Sequence, residues 1–307
     1  MNNTDQLGIP FGNAICYSGY REGQSPVDGI FPSYEQIVED LKILEPHWQY
    51  LRIYDCSKHA ELVLDAVRKE KLPFKVMLGA DVEAEISNPN CPWGAEYQDA
   101  VLEQNKLANQ QQIDRMIDLA KAYEDVVFSV SVGNEATVDW GDRIVPVERL
   151  VGFVKQIKQT VKQPVTFCEN YVPWTQKLAP LVEVLDFISV HTYPVWEQKS
   201  IDEAIGYTEE NVQGVAQQYP DKPIVVTEAG WTTTSNGRGI EPDNASQALQ
   251  AAYYEQLMQW SKEKEILTFV FEAFDEPWKG SDDPNEPEKH WGLFTVDRQP
   301  KLVMQHR

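Results

Sequence analysis

Residues 126–140 read VVFSVSVGNEATVDW and contain the pattern that decides the fold. The run over 126–132 is apolar and β-branched, which predicts a strand that is buried on both faces. Polar residues follow this run at once, and amphipathic stretches over 98–122 and 146–161 predict a helix on either side of it. A strand that alternates with helices in this way is the repeating unit of a parallel α/β fold.

The same unit recurs along the whole chain. Eight short apolar runs are predicted as strands, over residues 12–16, 50–54, 74–78, 126–132, 165–168, 187–190, 224–227 and 267–271. Further helices are predicted after the capping pair Ser33 and Gln36, after Ser57, and over 201–218 and 245–264.

Eight alternating units predict a single (β/α)8 barrel, or TIM barrel, that covers residues 1–307 as one catalytic domain. Little chain remains after the eighth strand, so we expect the eighth outer helix to be short or absent. A doubly wound open sheet is the alternative fold. That fold usually carries a GxGxxG turn after its first strand, whereas this chain has CYSGYREGQSP there.

Charge and composition exclude several classes of function. The chain has 27 basic and 48 acidic residues, for a net charge of −21, and such a chain repels nucleic acids and anionic membranes. No stretch approaches the ~20 apolar residues that a membrane-spanning helix needs, so we expect no membrane insertion. The four cysteines show no CxxC pair and no metal-ligand spacing, which leaves open whether any of them form disulfides.

Two strands end at glutamates that are candidates for catalysis. Glu135 follows the fourth predicted strand and Glu228 ends the seventh, which places them nearly opposite each other in a ring of eight. Barrel enzymes carry their reactive residues at these carboxyl ends. Two facing carboxylates, one protonated and one ionised, are what hydrolysis of a glycosidic bond requires.

Aromatic residues are concentrated in the same loops. Sugar rings have apolar faces that stack on such side chains, so we predict a substrate-binding role for these residues. The predicted substrate-binding residues are Tyr17, Tyr54, Trp93, Trp140, Tyr171, Trp174, Trp196, Trp231 and Trp278.

Each of these signals has a simpler explanation. A glutamate after a strand is often only a solvated loop residue, and a tryptophan at a strand end is often part of the core. His191 could form a metal site with Glu228 or Glu276, but no HxH or HExxH motif accompanies it, so a hydrogen-bonded histidine is favoured. The acidic run 282–288 lacks the spacing of a calcium loop. We therefore predict no metal site and no cofactor.

The chain resembles microbial members of glycoside hydrolase family 17, the β-1,3-glucanases and related transglucosylases. The resemblance is spread over several motifs that occur in order at the predicted strand ends. These motifs are CYSGYREGQSP, IFPSYEQIVEDLKIL, LRIYDC, VSVGNEA, HTYPVW, VVTEAGW, FEAFDEPWK and EPEKHWGLF.

The resemblance implies a retaining mechanism on two glutamates. The glutamate of the GNE motif, Glu135, would be the general acid/base, and the glutamate of the TEAGW motif, Glu228, would be the nucleophile. Asn134 would hold the 2-hydroxyl of the sugar. Plant members carry a serine where this chain has Ala229, which places the chain nearer to the microbial members.

The resemblance also implies supporting residues around the glutamates. Arg52 and Tyr193 match positions that hydrogen-bond the nucleophile, and a guanidinium beside a carboxylate lowers its pKa. The charged residues of the last two motifs that would assist catalysis are Glu276, Lys279 and Glu288.

The predicted function is retaining, endo-acting hydrolysis of β-1,3-glucosidic bonds in β-glucans such as laminarin. The alternatives are a β-1,3-glucan transglucosylase that uses the same site and a catalytically silent glucan-binding barrel. We expect a β-glucan polysaccharide or oligosaccharide as the partner and a monomeric protein. A secreted, periplasmic or cell-surface location is expected, with the leader missing from this sequence.

Overall fold

A computed structural model describes residues 4–305 and contains a closed barrel of eight parallel strands, each hydrogen-bonded to the next in chain order. The (β/α)8 prediction is therefore confirmed. The strands are β1 (Ala14–Cys16), β2 (Tyr50–Ile53), β3 (Lys75–Gly79), β4 (Val127–Asn134), β5 (Val165–Asn170), β6 (Ile188–His191), β7 (Ile224–Ala229) and β8 (Thr268–Val270).

Helices connect the strands and form the outer layer. They are α1 (Tyr34–Leu44), α2 (Lys58–Lys69), α3 (Asp99–Ala122), α4 (Val147–Lys158), α5 (Tyr171–Gln176), α6 (Ala179–Val182), α7 (Ile201–Gln218) and α8 (Gln247–Lys264). The two short helices α5 and α6 both lie between β5 and β6. The sequence did not predict them, because neither is long enough to show an amphipathic period.

Local sequence signals explain where several helices begin. Ser33 caps α1 and forms a capping box with Gln36, as predicted, and Ser57 caps α2. Pro146 lies one position earlier than predicted: it is the N-cap of α4 rather than part of its first turn. The side chains of Ser33 and Ser57 each accept from a backbone N–H that the helix itself leaves free.

The eighth unit closes the barrel without an outer α-helix. Among residues 271–305 the structure has only two 3-10 turns, Pro287–Lys289 and Leu302–Met304, and the second packs on α8. Arg298 ties this tail back to α1, because its guanidinium donates to both oxygens of the buried Asp40 carboxylate at 2.7 and 2.8 Å. The expectation of a short or absent eighth helix is confirmed for the described chain.

Strand pairing is irregular at the carboxyl ends of three strands. The register shifts between Ser131 and Asn134 on β4, between Val190 and His191 on β6, and between Val226 and Ala229 on β7. Bulges of this kind re-aim side chains and are common next to active sites. All three shifts lie at the predicted catalytic end.

Within residues 4–305 no helix is long and apolar enough to cross a membrane.

Candidate active site

The two candidate glutamates face each other at the mouth of the barrel. Glu228 lies within β7, and Glu135 is the first residue after β4. A carboxylate oxygen of Glu135 lies within 4.8 Å of a carboxylate oxygen of Glu228. The Glu228 residue is only 6% exposed, whereas the Glu135 side chain is 35% exposed. Their surroundings therefore differ although they are neighbours.

Three donors bind the carboxylate of Glu228. Arg52 donates to Oε1 at 2.5 Å, Tyr54 donates to the same oxygen at 3.0 Å, and Tyr193 donates to Oε2 at 2.6 Å. Burial favours the neutral acid, but His191 and Arg52 outweigh it and, with the Tyr193 hydrogen bond, lower the pKa of Glu228 to about 2. Glu228 is therefore ionised at neutral pH.

His191 lies between the two glutamates. Its Nδ1 is 2.9 Å from Oε1 of Glu135 and 3.4 Å from Oε2 of Glu228, and the ring is fully buried. Burial opposes the imidazolium, but the charge of Glu228, with hydrogen bonds to Cys168 and Glu135, raises the pKa of His191 to about 10. A protonated His191 therefore links the two carboxylates.

Asn134 ends β4 and shares Arg52 with the nucleophile candidate. The Nη2 group of Arg52 donates to Oδ1 of Asn134. This hydrogen bond fixes the orientation of the Asn134 amide group. Asn134 also lines the cleft beside Glu135 and Glu228. Arg52 thus fixes a carboxylate on β7 and an amide on β4 at once.

A second charged cluster lies after β8. Lys279 donates to both oxygens of Glu272 at 3.1 and 3.2 Å and pairs with Glu276. Burial raises the pKa of Glu288, which lines the cleft nearby, and the charge of Lys279 lowers it less strongly. The structure thus brings together Glu276, Lys279 and Glu288, and adds Glu272, which the sequence reading passed over.

The cleft extends on both sides of Glu228. One section, which we name the Glu135 section, has a volume of about 650 Å³ and is lined by Glu135, Trp140 and Trp291 among others. The other, the Trp278 section, has a volume of about 610 Å³ and is lined by Trp278 and Tyr20. Asn134, Glu228 and Phe271 line both sections. The two sections therefore adjoin at the candidate nucleophile.

The predicted aromatic residues divide into two groups. Six of them line the cleft: Trp93, Trp140, Tyr171, Trp196, Tyr54 and Trp278. Trp93 is 58% exposed and Trp140 is 39% exposed, as expected of open stacking surfaces. Tyr54 has a further role, since its hydroxyl binds Glu228.

Three of the predicted substrate-binding residues belong to the core instead. Trp174 is completely buried against Phe167, and its indole N–H donates to the carbonyl of Ser189. Trp231 is 1% exposed and donates to the carbonyl of Asn244.

Tyr17 borders the floor of the Trp278 section, but its ring is fully buried and its hydroxyl donates to Asp40. Since none of these three rings presents a face to the cleft, a substrate-stacking role does not fit them.

Several cleft residues were missed by the sequence reading. Trp291 packs its ring against Tyr193 and Phe271 under the Glu135 section. In the Trp278 section, Tyr20 stacks on His59, whose Nε2 is buried and has no hydrogen-bond partner among residues 4–305. The WGLF motif was a usable signal for Trp291, whereas nothing near His59 distinguishes it from a core histidine.

The site offers one group of residues that could hold a cation. Within the described chain, ligand atoms of Glu135, His191 and Glu228 lie within 4.8 Å of one another. Arg52 and two tyrosine hydroxyls already occupy the oxygens of Glu228, and His191 Nδ1 is hydrogen-bonded to Glu135. The donor set fits a hydrogen-bonded carboxylate pair better than a metal.

Comparisons with known proteins point in the same direction as the geometry. The family model of the BtgE/BtgC glycoside hydrolase domain matches residues 14–292. A glucan 1,3-beta-glucosidase of Arthroderma benhamiae is 25% identical over 92% of this chain and 89% of its own length. A probable glucan endo-1,3-beta-glucosidase, btgC, of Aspergillus clavatus is 26% identical over 88% of this chain, which spans only 39% of that relative's length.

Two solved structures share the fold over nearly the whole chain. An endo-laminarinase from Formosa superposes with a TM-score of 0.84 at 27% identity, covering 99% of this chain and 88% of that one. A Rhizomucor miehei beta-1,3-glucanosyltransferase, solved with laminaritriose, gives a TM-score of 0.75 at 21% identity and covers 95% of this chain and 96% of that one. At that identity the second likeness shows the fold alone.

Proposed function

We propose that this chain, which belongs to the BtgE/BtgC glycoside hydrolase family, hydrolyses internal β-1,3-glucosidic bonds of β-glucans with retention of configuration. The observation that carries this proposal is the carboxylate of Glu228, which three donors hold ionised within 4.8 Å of the more exposed Glu135. The name and fold of the Formosa endo-laminarinase support the choice of a laminarin-like substrate. The motif resemblance to glycoside hydrolase family 17 agrees with it.

In this proposal Glu228 is the nucleophile. Retaining glycosidases have carboxyl groups about 5–5.5 Å apart, whereas inverting enzymes need about 6.5–9.5 Å to admit a water. The separation of Glu135 and Glu228 supports the first case. An ionised Glu228 forms a bond to the anomeric carbon while Glu135 gives a proton to the departing glucosidic oxygen. Glu135 then takes a proton from water, which attacks the same carbon and releases Glu228.

His191 has a positioning role in this scheme. Its Nδ1–H reaches an oxygen of each glutamate, so it holds the two carboxylates at a fixed separation. When the covalent bond forms, Glu228 loses its charge, and the imidazolium remains beside Glu135.

The position of Glu135 also sets the direction of the bound chain. The acid protonates the oxygen that leaves, so it lies towards the leaving half of the substrate. Glu135 lines one section of the cleft and is absent from the lining of the other. The Glu135 section would therefore hold the leaving half, and the Trp278 section would hold the half that becomes bonded to Glu228. A cleft that extends both ways from Glu228 supports cleavage within a chain.

Transfer of glucan to a second sugar is the alternative use of the same site. The fold that the chain shares with the Rhizomucor glucanosyltransferase is compatible with transfer. The other relatives named above are glucosidases or a laminarinase. The two outcomes differ only in whether water or a sugar hydroxyl attacks the glucosyl–Glu228 bond. A silent glucan-binding barrel would be expected to lack a carboxylate that this chain keeps.

The deciding experiment is incubation of the purified protein with laminarin, lichenan and cellulose, followed by sizing of the products over time. Endo hydrolysis predicts a rapid fall in mean chain length with new reducing ends on laminarin. Longer or branched products would show transfer, and unchanged laminarin would refute an enzymatic role.

We further propose that the protein works as a monomer. We also propose that it works outside the cytoplasm, since a polysaccharide is its substrate.

A further inference from the structure

The scheme above leaves one buried carboxylate near the reacting centre without a role. Glu169 lies on β5 and is completely buried. No lysine or arginine of residues 4–305 forms an ion pair with it. A buried carboxylate without a cationic partner is costly, so its retention calls for a specific reason.

The hydrogen bonds of Glu169 lead directly to the acid/base candidate. Its Oε2 accepts from both the backbone N–H and the hydroxyl of Thr137, at 2.9 and 2.6 Å, and its Oε1 accepts from the N–H of Asn170 at 2.7 Å. Thr137 is two residues after Glu135. Glu169 therefore holds the loop that carries the Glu135 side chain.

Glu135 itself has a backbone that needs to be held. Its φ is +45°, in the left-handed region, which is unfavourable for a residue with a side chain. Its N–H donates to the carbonyl of Cys168 at 2.9 Å. Two consecutive residues of β5, Cys168 and Glu169, thus accept hydrogen bonds from residues 135 and 137. Strain of this kind persists only where the surroundings over-determine it.

We infer that Glu169 is a positioning residue for the general acid/base, which it aims at the glucosidic oxygen by fixing Thr137. The inference rests on the proposed function, because it concerns the proton that Glu135 gives to the leaving sugar. Replacing the carboxylate would let Glu135 relax from its left-handed conformation. The nucleophile on β7 would stay in place, since its donors come from β2 and from the loop after β6.

The surroundings of Glu169 favour its neutral form. The ionisable groups that act on it are Glu135 at the end of β4 and His191 on β6. Burial, followed by the charge of Glu135, raises the pKa of Glu169 to about 8.

The test compares Glu169→Gln with wild type on two substrates. One is a β-1,3-gluco-oligosaccharide, whose leaving sugar needs a proton, and the other is a dinitrophenyl β-laminaribioside, whose leaving group needs none. Because kcat/KM reports the first bond cleavage, we expect a loss of about tenfold or more on the oligosaccharide. On the aryl glycoside we expect a change below about threefold.

Matched variants separate positioning from general damage. Glu85→Gln alters another buried carboxylate, which is paired with Arg149 outside the cleft lining, and should change both substrates equally or not at all. Thr137→Val removes only the hydroxyl donor and should give a smaller loss with the same selectivity, whereas Thr137→Ser should restore activity. These two variants carry the test if Glu169→Gln does not fold.

Equal losses on both substrates in a folded Glu169→Gln protein, or a Thr137→Ser protein as impaired as Thr137→Val, would overturn the inference. Inactive wild-type protein on laminarin would instead overturn the proposed function, so the two failures are distinguishable.

Discussion

Tyr193 offers the sharpest test of how Glu228 is kept ionised. Its hydroxyl donates to Oε2 of Glu228 at 2.6 Å, and its replacement by phenylalanine removes that single donor. A hydrogen bond to a charged group contributes about 1.5–3 kcal/mol. Because one pKa unit corresponds to about 1.36 kcal/mol, the pKa of Glu228 should rise by about one to two units in Tyr193→Phe.

The sign of the pH effect follows from the direction of this shift. The pKa of Glu228 is lowered to about 2, so the nucleophile is ionised at all pH values above that, and activity is lost only as pH falls through it. Removing a donor to the charged form raises the pKa. The acid limb of kcat/KM on a β-1,3-gluco-oligosaccharide should therefore move up, into the range of about pH 3–4.

Two further variants make the measurement specific. Tyr54→Phe removes a longer hydrogen bond to Glu228, 3.0 Å, and should move the limb in the same direction by less. Tyr253→Phe removes a buried hydroxyl that contacts Thr208 far from the cleft, and should leave the limb where it is. If the limb of folded Tyr193→Phe coincides with that of wild type, Tyr193 does not hold the nucleophile ionised and the reasoning fails.

Three further predictions test the site. With an activated aryl glycoside, azide should restore turnover of Glu135→Ala and give the β-glycosyl azide, whereas Glu228→Ala should give the α-azide if any; product NMR would reveal reversed roles. Trp140→Ala should raise KM for long oligosaccharides by about two- to tenfold, while Trp174→Ala should lower the free energy of unfolding by about 3–5 kcal/mol, measured by denaturant titration. His59→Ala should weaken binding of long chains more than short ones in calorimetry, because the His59 ring lines the Trp278 section and stacks on Tyr20; equal effects on both lengths would exclude that contact.

The barrel was predictable because each strand is a continuous apolar run with helical patterns around it. The positions at which the strands end were less predictable. β4 continues to Asn134 and β7 continues to Ala229, beyond the predicted apolar runs. Glu228 is buried, Asn134 is half-buried, and both are hydrogen-bonded to Arg52 in the barrel mouth. Hydrophobic period alone does not detect such polar strand residues.

The same limit explains why some aromatic residues were wrongly predicted to bind substrate. Tyr171 and Trp174 both lie on the short helix α5, yet the first lines the cleft and the second is in the core. The direction of each ring depends on where a six-residue helix begins and on the capping contact of Asn170 with Val172. A composition signal such as a tryptophan near a strand end carries no such information.

The distribution of cations explains how adjacent glutamates come to have different chemistry. Arg52 contacts Glu228 and not Glu135, while Lys279 is committed to Glu272 and Glu276. His191 contacts both glutamates. The asymmetry therefore rests on the three donors that bind Glu228 and not Glu135. One of them, Arg52, comes from β2 and reaches across the barrel mouth to β7. Sequence motifs identify the two glutamates, but only the closed ring of strands brings Arg52 to one of them.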